Sequence, residues 1–187
     1  MRPAKPSLFR QMENKIILYV LGLGAIIASS YISFDVRLSA LIIPFTAQSL
    51  AVFVVAGLVG TRTFLAIILS YLILGTLGLP IFAGGSSGLE KLLGPSGGFL
   101  IGFLFSGVYI SQAIKSKDSF GKHILIMLLA TLILFLFGLA MLTYKFDWSK
   151  ALQYGFYPYW PMALVKAGLS ACIVFYLTRH RQTKNKA

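Results

Sequence analysis

The sequence predicts an all-α integral membrane protein with six membrane-spanning helices and both termini in the cytoplasm. Of its 187 residues, 57% are hydrophobic and only 12% are charged, and the mean hydropathy is +0.82. Ordinary soluble domains carry about a quarter charged residues, so this composition excludes that class. The apolar residues also gather into six long runs. Most basic residues lie in the two tails and in every second segment that connects these runs.

The six predicted spans follow one another along the chain and are separated by turn-rich segments. Each span is close to the roughly 20 residues that a helix needs to cross the hydrocarbon core. No small-residue cleavage site follows the first span, so we expect the N-terminus to be retained. We predict a single membrane domain over residues 1–187, with basic cytoplasmic tails at 1–14 and 180–187. The spans are approximately 16–33, 44–59, 62–79, 98–114, 122–143 and 161–178.

The net charge of +12 could indicate nucleic-acid binding, but the distribution of the basic residues indicates membrane topology. Twelve of them lie in the tails or in loops two and four, and four lie in loops one, three and five. Because Lys and Arg are in excess on the cytoplasmic side, the glycine-rich third loop is predicted to face outward. We therefore expect attraction to anionic lipid and no nucleic-acid partner. The first group is Arg2, Lys5, Arg10, Lys15, Arg62, Lys115, Lys117, Lys122, Arg179, Arg181, Lys184 and Lys186, and the second is Arg37, Lys91, Lys145 and Lys150.

The third loop contains Gly84-x-Ser86-x-Gly88, which has the spacing of a serine-hydrolase nucleophile elbow. Such an elbow needs a strand-turn-helix context and a histidine base. Here the loop joins two predicted membrane helices. Both histidines, His123 and His180, are predicted at the opposite membrane surface, about 30 Å away. The spacing therefore does not indicate a hydrolase.

Other chemistries are also disfavoured. Gly121-Lys122 is followed by a histidine and is not part of a Walker A phosphate-binding loop. The five acidic residues, two histidines and one cysteine include no pair at metal-ligand spacing on a shared outward segment. We predict no enzyme activity, no metal and no cofactor. The glycine loop then either exposes backbone groups to a small ligand or is an ordinary connection.

Between Pro44 and Phe103, about a third of the chain, several rigid residues stand at a recognisable spacing. In these elements the chain resembles the biotin-specific substrate-binding (S) component of energy-coupling-factor (ECF) vitamin transporters, the BioY family. The elements are Pro44-Phe45-Thr46 with Gln48, Gly60-x-Arg62, Tyr71-Leu72-x-x-Gly75, Gly78-Leu79-Pro80 followed by Phe82-Ala83, and Gly94-Pro95-x-Gly97-Gly98.

The resemblance implies six membrane helices with an outward-facing vitamin site built from helix ends and loops, above all the loop after helix three. It implies biotin as the ligand, and a membrane coupling protein and two ATPase subunits as partners, because the family has no ATPase of its own. It also implies a multi-pass protein of the plasma membrane of a prokaryote.

Two departures from the family keep other ligands open. Family members commonly begin the sixth helix with Pro-Gly-Asp-x-x-Lys, and here Ala163 replaces the aspartate while Lys166 matches the lysine. Some members carry an asparagine after the Phe-Ala pair, where this chain has Gly84 and Gly85. The alternatives are an S component for a different vitamin-like ligand and a membrane structural or assembly protein.

Lys166 is the leading site candidate, because an ionisable residue inside a span marks function by default, although snorkelling to the headgroups is the alternative. Buried Gln48 would need a polar partner. Tyr159 and Trp160 could cover a ligand or belong to an interfacial aromatic belt. The predicted ligand-binding residues are Gln48, Phe82, Gly84, Gly85, Ser86, Tyr159, Trp160 and Lys166.

The first span carries small residues one helical turn apart, Gly24 with Ala28 and Ala25 with Ser29. Small residues let helix backbones approach closely. This face could pack within the chain's own bundle, whereas the resemblance implies that it contacts the coupling protein. We predict the coupling interface at Gly24, Ala25, Ala28 and Ser29.

Overall fold

The computed structural model describes residues 8–38, 41–115 and 117–184, and helices make up most of this chain. The predicted tail positions 1–7 and 185–187 lie outside the described residues. In chain order the elements are α1 (Leu8–Tyr31), β1 (Ser33–Leu38), β2 (Leu41–Thr46), α2 (Gln48–Leu58), α3 (Thr61–Thr76), a 3-10 turn (Ala83–Gly85), α4 (Leu89–Leu93), α5 (Gly97–Ala113), α6 (Phe120–Lys145), α7 (Trp148–Gly155) and α8 (Trp160–Lys184).

Each of the six predicted spans overlaps one of the longer helices, α1, α2, α3, α5, α6 and α8. Among the described residues, two of these are long and apolar enough to cross a membrane, α6 and residues Trp160–His180 of α8. The apolar parts of the other four are 10–17 residues long. At the two ends of the chain, α1 begins at Leu8 and α8 continues to Lys184, so both helices extend into the segments predicted as tails.

A two-stranded antiparallel hairpin, β1 with β2, accompanies the helices of the predicted all-α fold. Ser33 pairs with Thr46 and Leu38 with Leu41. The second predicted span therefore starts too early, since its first residues belong to β2 and α2 begins at Gln48. Pro44 gives a local reason, because a proline disfavours the helical conformation of the residue before it and has no N–H to donate.

The helices α2 and α5 lie at the centre of the bundle. α2 packs against α1, α5 and α8, and α5 packs against α2, α3 and α6. Their shared core is apolar, and burial of this surface is the main stabilising contribution to such a bundle. Fully buried side chains from the six helices include Ile26, Val52, Phe64, Ile68, Ile110, Met127, Ala171 and Val174.

Two glycines on α5 allow a close crossing with α6. A Cβ atom at Gly98 would lie 2.3 Å from the carbonyl oxygen of Phe137, and one at Gly102 would lie 3.1 Å from that of Leu134. A side chain at Gly98 would therefore push the two backbones apart. The Gly94-Pro95-x-Gly97-Gly98 motif thus serves the helix crossing as well as the turn before α5.

The outside of the bundle exposes large apolar side chains along its whole length. A water-facing surface of this kind would be an aggregation hazard, whereas it suits lipid. Exposed apolar side chains on the long helices include Ile16, Val20, Leu21, Leu132, Leu136, Val165, Leu169 and Tyr176.

The predicted fifth loop contains a short helix, α7, that the sequence analysis did not predict. The Asp147 side chain caps α7 by accepting from the Lys150 backbone N–H at 2.8 Å. This backbone bond, together with the bond from the Lys150 ammonium, holds the pKa of Asp147 below its usual range. α7 packs against α6, and Ala151 is fully buried there.

Contacts at one end of the bundle bring the start of one helix against the end of another, for α3 with α5 and for α6 with α8. At one end, the Ser111 hydroxyl near the end of α5 donates to the Thr61 hydroxyl at the start of α3 at 3.2 Å. The rings of His123, near the start of α6, and Phe175, near the end of α8, lie 5.4 Å apart at the same end. We call this the basic end, since it carries Arg62, Lys115, Lys122 and Arg179. The opposite end, which carries the loop after α3, is the loop end.

Candidate functional site

A cavity opens at the loop end, between the first turns of α2, α5 and α8 and the loop that follows α3. Its empty volume, including the open mouth, is about 800 Å³. The cavity is lined by Thr46, Gln48, Ser49, Phe82, Ala83, Lys91, Ser96, Phe99, Leu100, Phe103, Leu134, Phe135, Tyr159, Ala163 and Lys166.

One wall of the cavity is apolar and rigidly packed. It is formed by α5 and α6, the two helices that the glycines of α5 bring close together. The rings of Phe99 and Phe135 meet edge to face, with centroids 6.3 Å apart. Leu100, Phe103 and Leu134 complete this wall and are almost fully buried. Such a wall suits a hydrocarbon or thioether part of a ligand.

Lys166 lines the cavity from α8, as the sequence predicts. Its ammonium group donates a hydrogen bond of 2.6 Å to the carbonyl oxygen of Thr46, which joins the start of α8 to the end of β2. Ala163 lies one turn earlier on the same helix and also lines the cavity. Ala163, which stands where members of the resembled family commonly have an aspartate, therefore contributes only a methyl group to the cavity lining.

Gln48 lines the cavity from the first turn of α2 and is 98% buried, with 2% of its surface exposed. Its side-chain nitrogen donates to the Tyr71 hydroxyl at 2.7 Å. The Tyr71 hydroxyl donates in turn to the carbonyl oxygen of Ile81 at 3.0 Å. Three segments, α2, α3 and the loop after α3, are thus joined by a buried chain of hydrogen bonds.

The loop after α3 owes its position to a close packing of Phe82. A Cβ atom at Gly75 would lie 2.3 Å from the Phe82 ring, so only glycine leaves room for this ring. The ring also packs edge-on against Tyr71, at a centroid distance of 5.4 Å. The Tyr71, Gly75 and Phe82 elements of the family motif therefore act together to seat the loop over the cavity.

Four of the predicted ligand-binding residues are not among the residues that line the cavity. Gly84 and Gly85 form the 3-10 turn with positive φ angles of 67° and 73°, and the Ser86 hydroxyl donates to the carbonyl oxygen of Ala83 at 2.8 Å. These three residues shape the loop behind the cavity. Trp160 is 44% exposed at the start of α8. None of the four is among the described lining residues, because the loop turns Phe82 and Ala83 inward instead.

Several lining residues were missed by the sequence analysis. Lys91 was counted only as a loop charge, since the helix α4 that carries it is only five residues long. Ser96 and Phe99 adjoin the Gly94-Pro95-x-Gly97-Gly98 motif, which was a usable signal. The remaining missed residues are Thr46, Ser49, Ala83, Leu100, Phe103, Leu134 and Phe135.

The small-residue face of α1 is largely exposed. Gly24, Ala25 and Ala28 lie on the outer surface of the bundle. Ser29 does not share this face, because it is only 8% exposed and its hydroxyl donates to the carbonyl oxygen of Ile26 at 2.8 Å. The 100° rotation per residue turns Ser29 away from Ala28 and toward the bundle. The predicted interface is thus reduced to three accessible residues.

Metal binding has no support in the described part of the chain. Among the described residues, no group of three or more His, Cys, Asp or Glu residues lies within reach of a common ion. The two cationic residues that line the cavity, Lys91 and Lys166, favour an anionic or oxygen-bearing ligand instead.

Comparisons with known proteins agree with this geometry. The model of the BioY family matches residues 4–183. The biotin transporter BioY2 of Lactococcus lactis subsp. cremoris is 40% identical over 155 residues, which cover 78% of this chain and 81% of the relative. The biotin transporter BioY of Thermotoga maritima is 32% identical over 138 residues, which cover 73% and 82%.

A solved structure shows the same fold. It is a crystal structure of the S-component for biotin from an ECF-type ABC transporter. The TM-score is 0.82 at 23% sequence identity, over 92% of this chain and 94% of the other.

Proposed function

The chain belongs to the BioY family, and on that premise we propose that it is the substrate-binding subunit of a biotin importer. It captures biotin from outside the cell and releases it inside when partner ATPases drive a rearrangement. It is a transport component and catalyses no covalent change. The observation that carries the proposal is the cavity at the loop end, where Gln48 and Lys166 face an apolar wall.

Biotin has the chemistry that this cavity can accept. Its bicyclic ring and valeryl chain are largely apolar, and they match the wall formed by Phe99, Phe103 and Phe135. Its two polar ends are a ureido group and a carboxylate. Lys91 and Lys166 can donate charge-assisted hydrogen bonds to the carboxylate or to the ureido oxygen.

Ala163 leaves one polar requirement of biotin to other residues. The ureido N–H groups need acceptors, and leaving such a group buried and unpaired costs about 1–3 kcal/mol. Gln48, Thr46, Ser49 and Tyr159 line the same cavity and carry side-chain oxygens. If these residues accept hydrogen bonds from the ureido N–H groups, binding stays tight. If both N–H groups are left without an acceptor, binding is weaker by roughly a hundredfold.

The proposed topology has six spans in the plasma membrane of a prokaryote, with both termini in the cytoplasm and the cavity facing outward. The excess of Lys and Arg at the basic end supports this orientation. Four of the six helices are short for a membrane span. At the loop end, the hairpin and the loop after α3 would fill the remaining membrane depth. Irregular backbone of this kind is tolerated at membrane depth where it is buried in protein or lines a cavity.

The proposed partners are a membrane coupling protein and two ATPase subunits. The exposed face of α1 formed by Gly24, Ala25 and Ala28 supports a helix-helix contact, because small residues let helix backbones approach closely. A Cβ atom at Gly24 would meet nothing within 4 Å in this chain, so the space beside it is open to a partner.

The test is binding of radiolabelled biotin to the detergent-purified protein, with unlabelled biotin and other vitamins as competitors. Saturable binding at nanomolar to low micromolar biotin, displaced by biotin alone, is the expected result. Displacement by a different vitamin would favour an S component with a changed ligand, for which Ala163 in the cavity wall is the motivating observation. Absence of binding to any vitamin, together with failure to copurify with ATPase subunits, would favour a structural or assembly protein.

A further inference from the structure

The buried chain of hydrogen bonds from Gln48 through Tyr71 to Ile81 has a fixed direction. A carbonyl oxygen carries no hydrogen, so the Ile81 carbonyl can only accept. The Tyr71 hydroxyl has one hydrogen, and it donates this hydrogen to Ile81 at 3.0 Å. The Tyr71 oxygen is then an acceptor for its other neighbour, Gln48, at 2.7 Å.

This direction determines which end of the Gln48 amide faces Tyr71. The two ends of an amide side chain differ, since the nitrogen donates and the oxygen accepts. An accepting Tyr71 oxygen can pair only with the nitrogen end. The orientation follows from the chemistry of the neighbours and does not depend on telling nitrogen from oxygen by their positions. The amide oxygen, Oε1, is turned away from Tyr71.

Gln48 lines the cavity, so we infer that its Oε1 accepts a hydrogen bond from a ring N–H of the ligand. Tyr71 and the Ile81 carbonyl act as positioning groups that keep the oxygen, and not the nitrogen, directed at the ligand. This inference rests on the proposed function, in which the ligand is biotin and the N–H belongs to its ureido ring. Gln48 thus supplies a side-chain hydrogen-bond acceptor in a cavity where the methyl group of Ala163 cannot accept.

Four other polar side chains of the cavity, those of Lys91, Lys166, Thr46 and Ser49, do not impose the same requirement. Lys91 and Lys166 have only donors to offer and cannot serve an N–H. The hydroxyls of Thr46 and Ser49 can rotate to donate or accept, so they tolerate either kind of ligand atom. Gln48 is a lining residue whose polarity is fixed by hydrogen bonds that the structure shows. It should therefore discriminate a ring N–H from a ring oxygen.

The first measurement uses the unaltered protein and two biotin analogues. In each analogue one of the two ring N–H groups is replaced by oxygen, which gives a cyclic carbamate of nearly the same size. One of the two should bind roughly 10- to 100-fold more weakly than biotin, because its ring oxygen would face the amide oxygen without a hydrogen between them. Equal affinity for biotin and both carbamates would overturn the inference without any variant.

The variants separate recognition from a structural role of the same residues. Gln48→Met keeps the length of the side chain and removes the acceptor, so the ratio of biotin to carbamate affinity should fall toward one. Gln48→Glu keeps an acceptor whichever oxygen faces the cavity, so the ratio should persist. Tyr71→Phe keeps the ring that packs on Phe82 but lets the amide turn over, so the ratio should also fall. Gln112→Met, at an exposed glutamine of the basic end, is the matched control.

A purely structural role predicts a different pattern. Gln48→Met and Tyr71→Phe would then lower the affinity for biotin and for both carbamates by the same factor, and the ratio would stay at its original value. That result would overturn the inference while the proposed function stands. Failure of the unaltered, folded protein to bind biotin would overturn the proposed function and this inference with it.

Discussion

Replacing Lys166 by methionine should weaken biotin binding by roughly 10- to 150-fold. The substitution keeps the length of the side chain, and therefore the packing of the first turns of α8, but removes the ammonium group. An ammonium has three hydrogens, so the 2.6 Å bond to the Thr46 carbonyl is compatible with a further bond to a ligand oxygen. A hydrogen bond to a charged group is worth about 1.5–3 kcal/mol, and about 1.4 kcal/mol corresponds to a tenfold change in affinity.

The loss of the Thr46 contact is a separate effect and must be measured with it. Without Lys166, the Thr46 carbonyl loses a donor, and the junction of β2 with α2 becomes less stable. Thermal unfolding of Lys166→Met without ligand gives this contribution. Titration with radiolabelled biotin below the unfolding transition then gives the change in Kd of the folded protein.

Lys150→Met is the matched control, since Lys150 is an exposed lysine of α7 outside the cavity lining. It should bind biotin as the unaltered protein does. Lys91→Met tests the second cationic residue of the cavity by the same titration. An affinity of Lys166→Met within twofold of the unaltered protein, at normal stability, would refute a ligand-binding role for Lys166.

Three further predictions concern other parts of the chain. Ala28→Leu should abolish biotin uptake by cells while leaving biotin binding to the purified protein unchanged; loss of both would indicate misfolding. Gly75→Val should lower the free energy of unfolding by about 1–3 kcal/mol and weaken biotin binding, because the valine side chain would collide with Phe82. As the control, Gly24→Ala should leave both the stability and the biotin binding of the purified protein unchanged, since a Cβ atom there meets nothing within 4 Å. The pKa of Asp147 is lowered in the folded chain, so its cap on α7 should persist near neutral pH and weaken as the pH falls below the ordinary pKa of 3.8. The melting temperature should therefore fall in this acid range. Asp147→Asn should remove this part of the pH dependence.

The positions of the six long helices could be predicted from the sequence because an apolar run is a local property. Each run overlaps one helix, and the errors lie at the ends of the runs. The hairpin was missed because β2 is as apolar as a span, and only Pro44 within it argues against a helix. The short helix α7 was missed because its aromatic residues resemble an interfacial belt, although Asp147 before it is a recognisable N-cap.

The predicted site residues coincide only in part with the lining of the cavity, for a comparable reason. Lys166 and Gln48 were identifiable because polar groups inside apolar helices need partners or ligands, and both line the cavity. Phe82 was identifiable from its motif. Gly84 and Gly85 were conspicuous in the sequence, but their positive φ angles place them in the turn that carries Phe82 and Ala83 inward. In this loop a glycine marks the place where the backbone bends, and the residues beside it reach the cavity.

The direction of the Gln48 amide is the feature that no inspection of the sequence could have supplied. It depends on a carbonyl of Ile81, which is a backbone atom that any residue would carry, and on the fold bringing that atom within 3.0 Å of a tyrosine ten residues earlier in the chain. Sequence patterns report which side chains are polar and which face they occupy. Whether a polar side chain offers a donor or an acceptor is decided by its neighbours, and for Gln48 those neighbours come from two other segments of the chain. Ligand selectivity at this site therefore belongs to the assembled loop end, and a substitution at Tyr71, which is absent from the cavity wall, should change it.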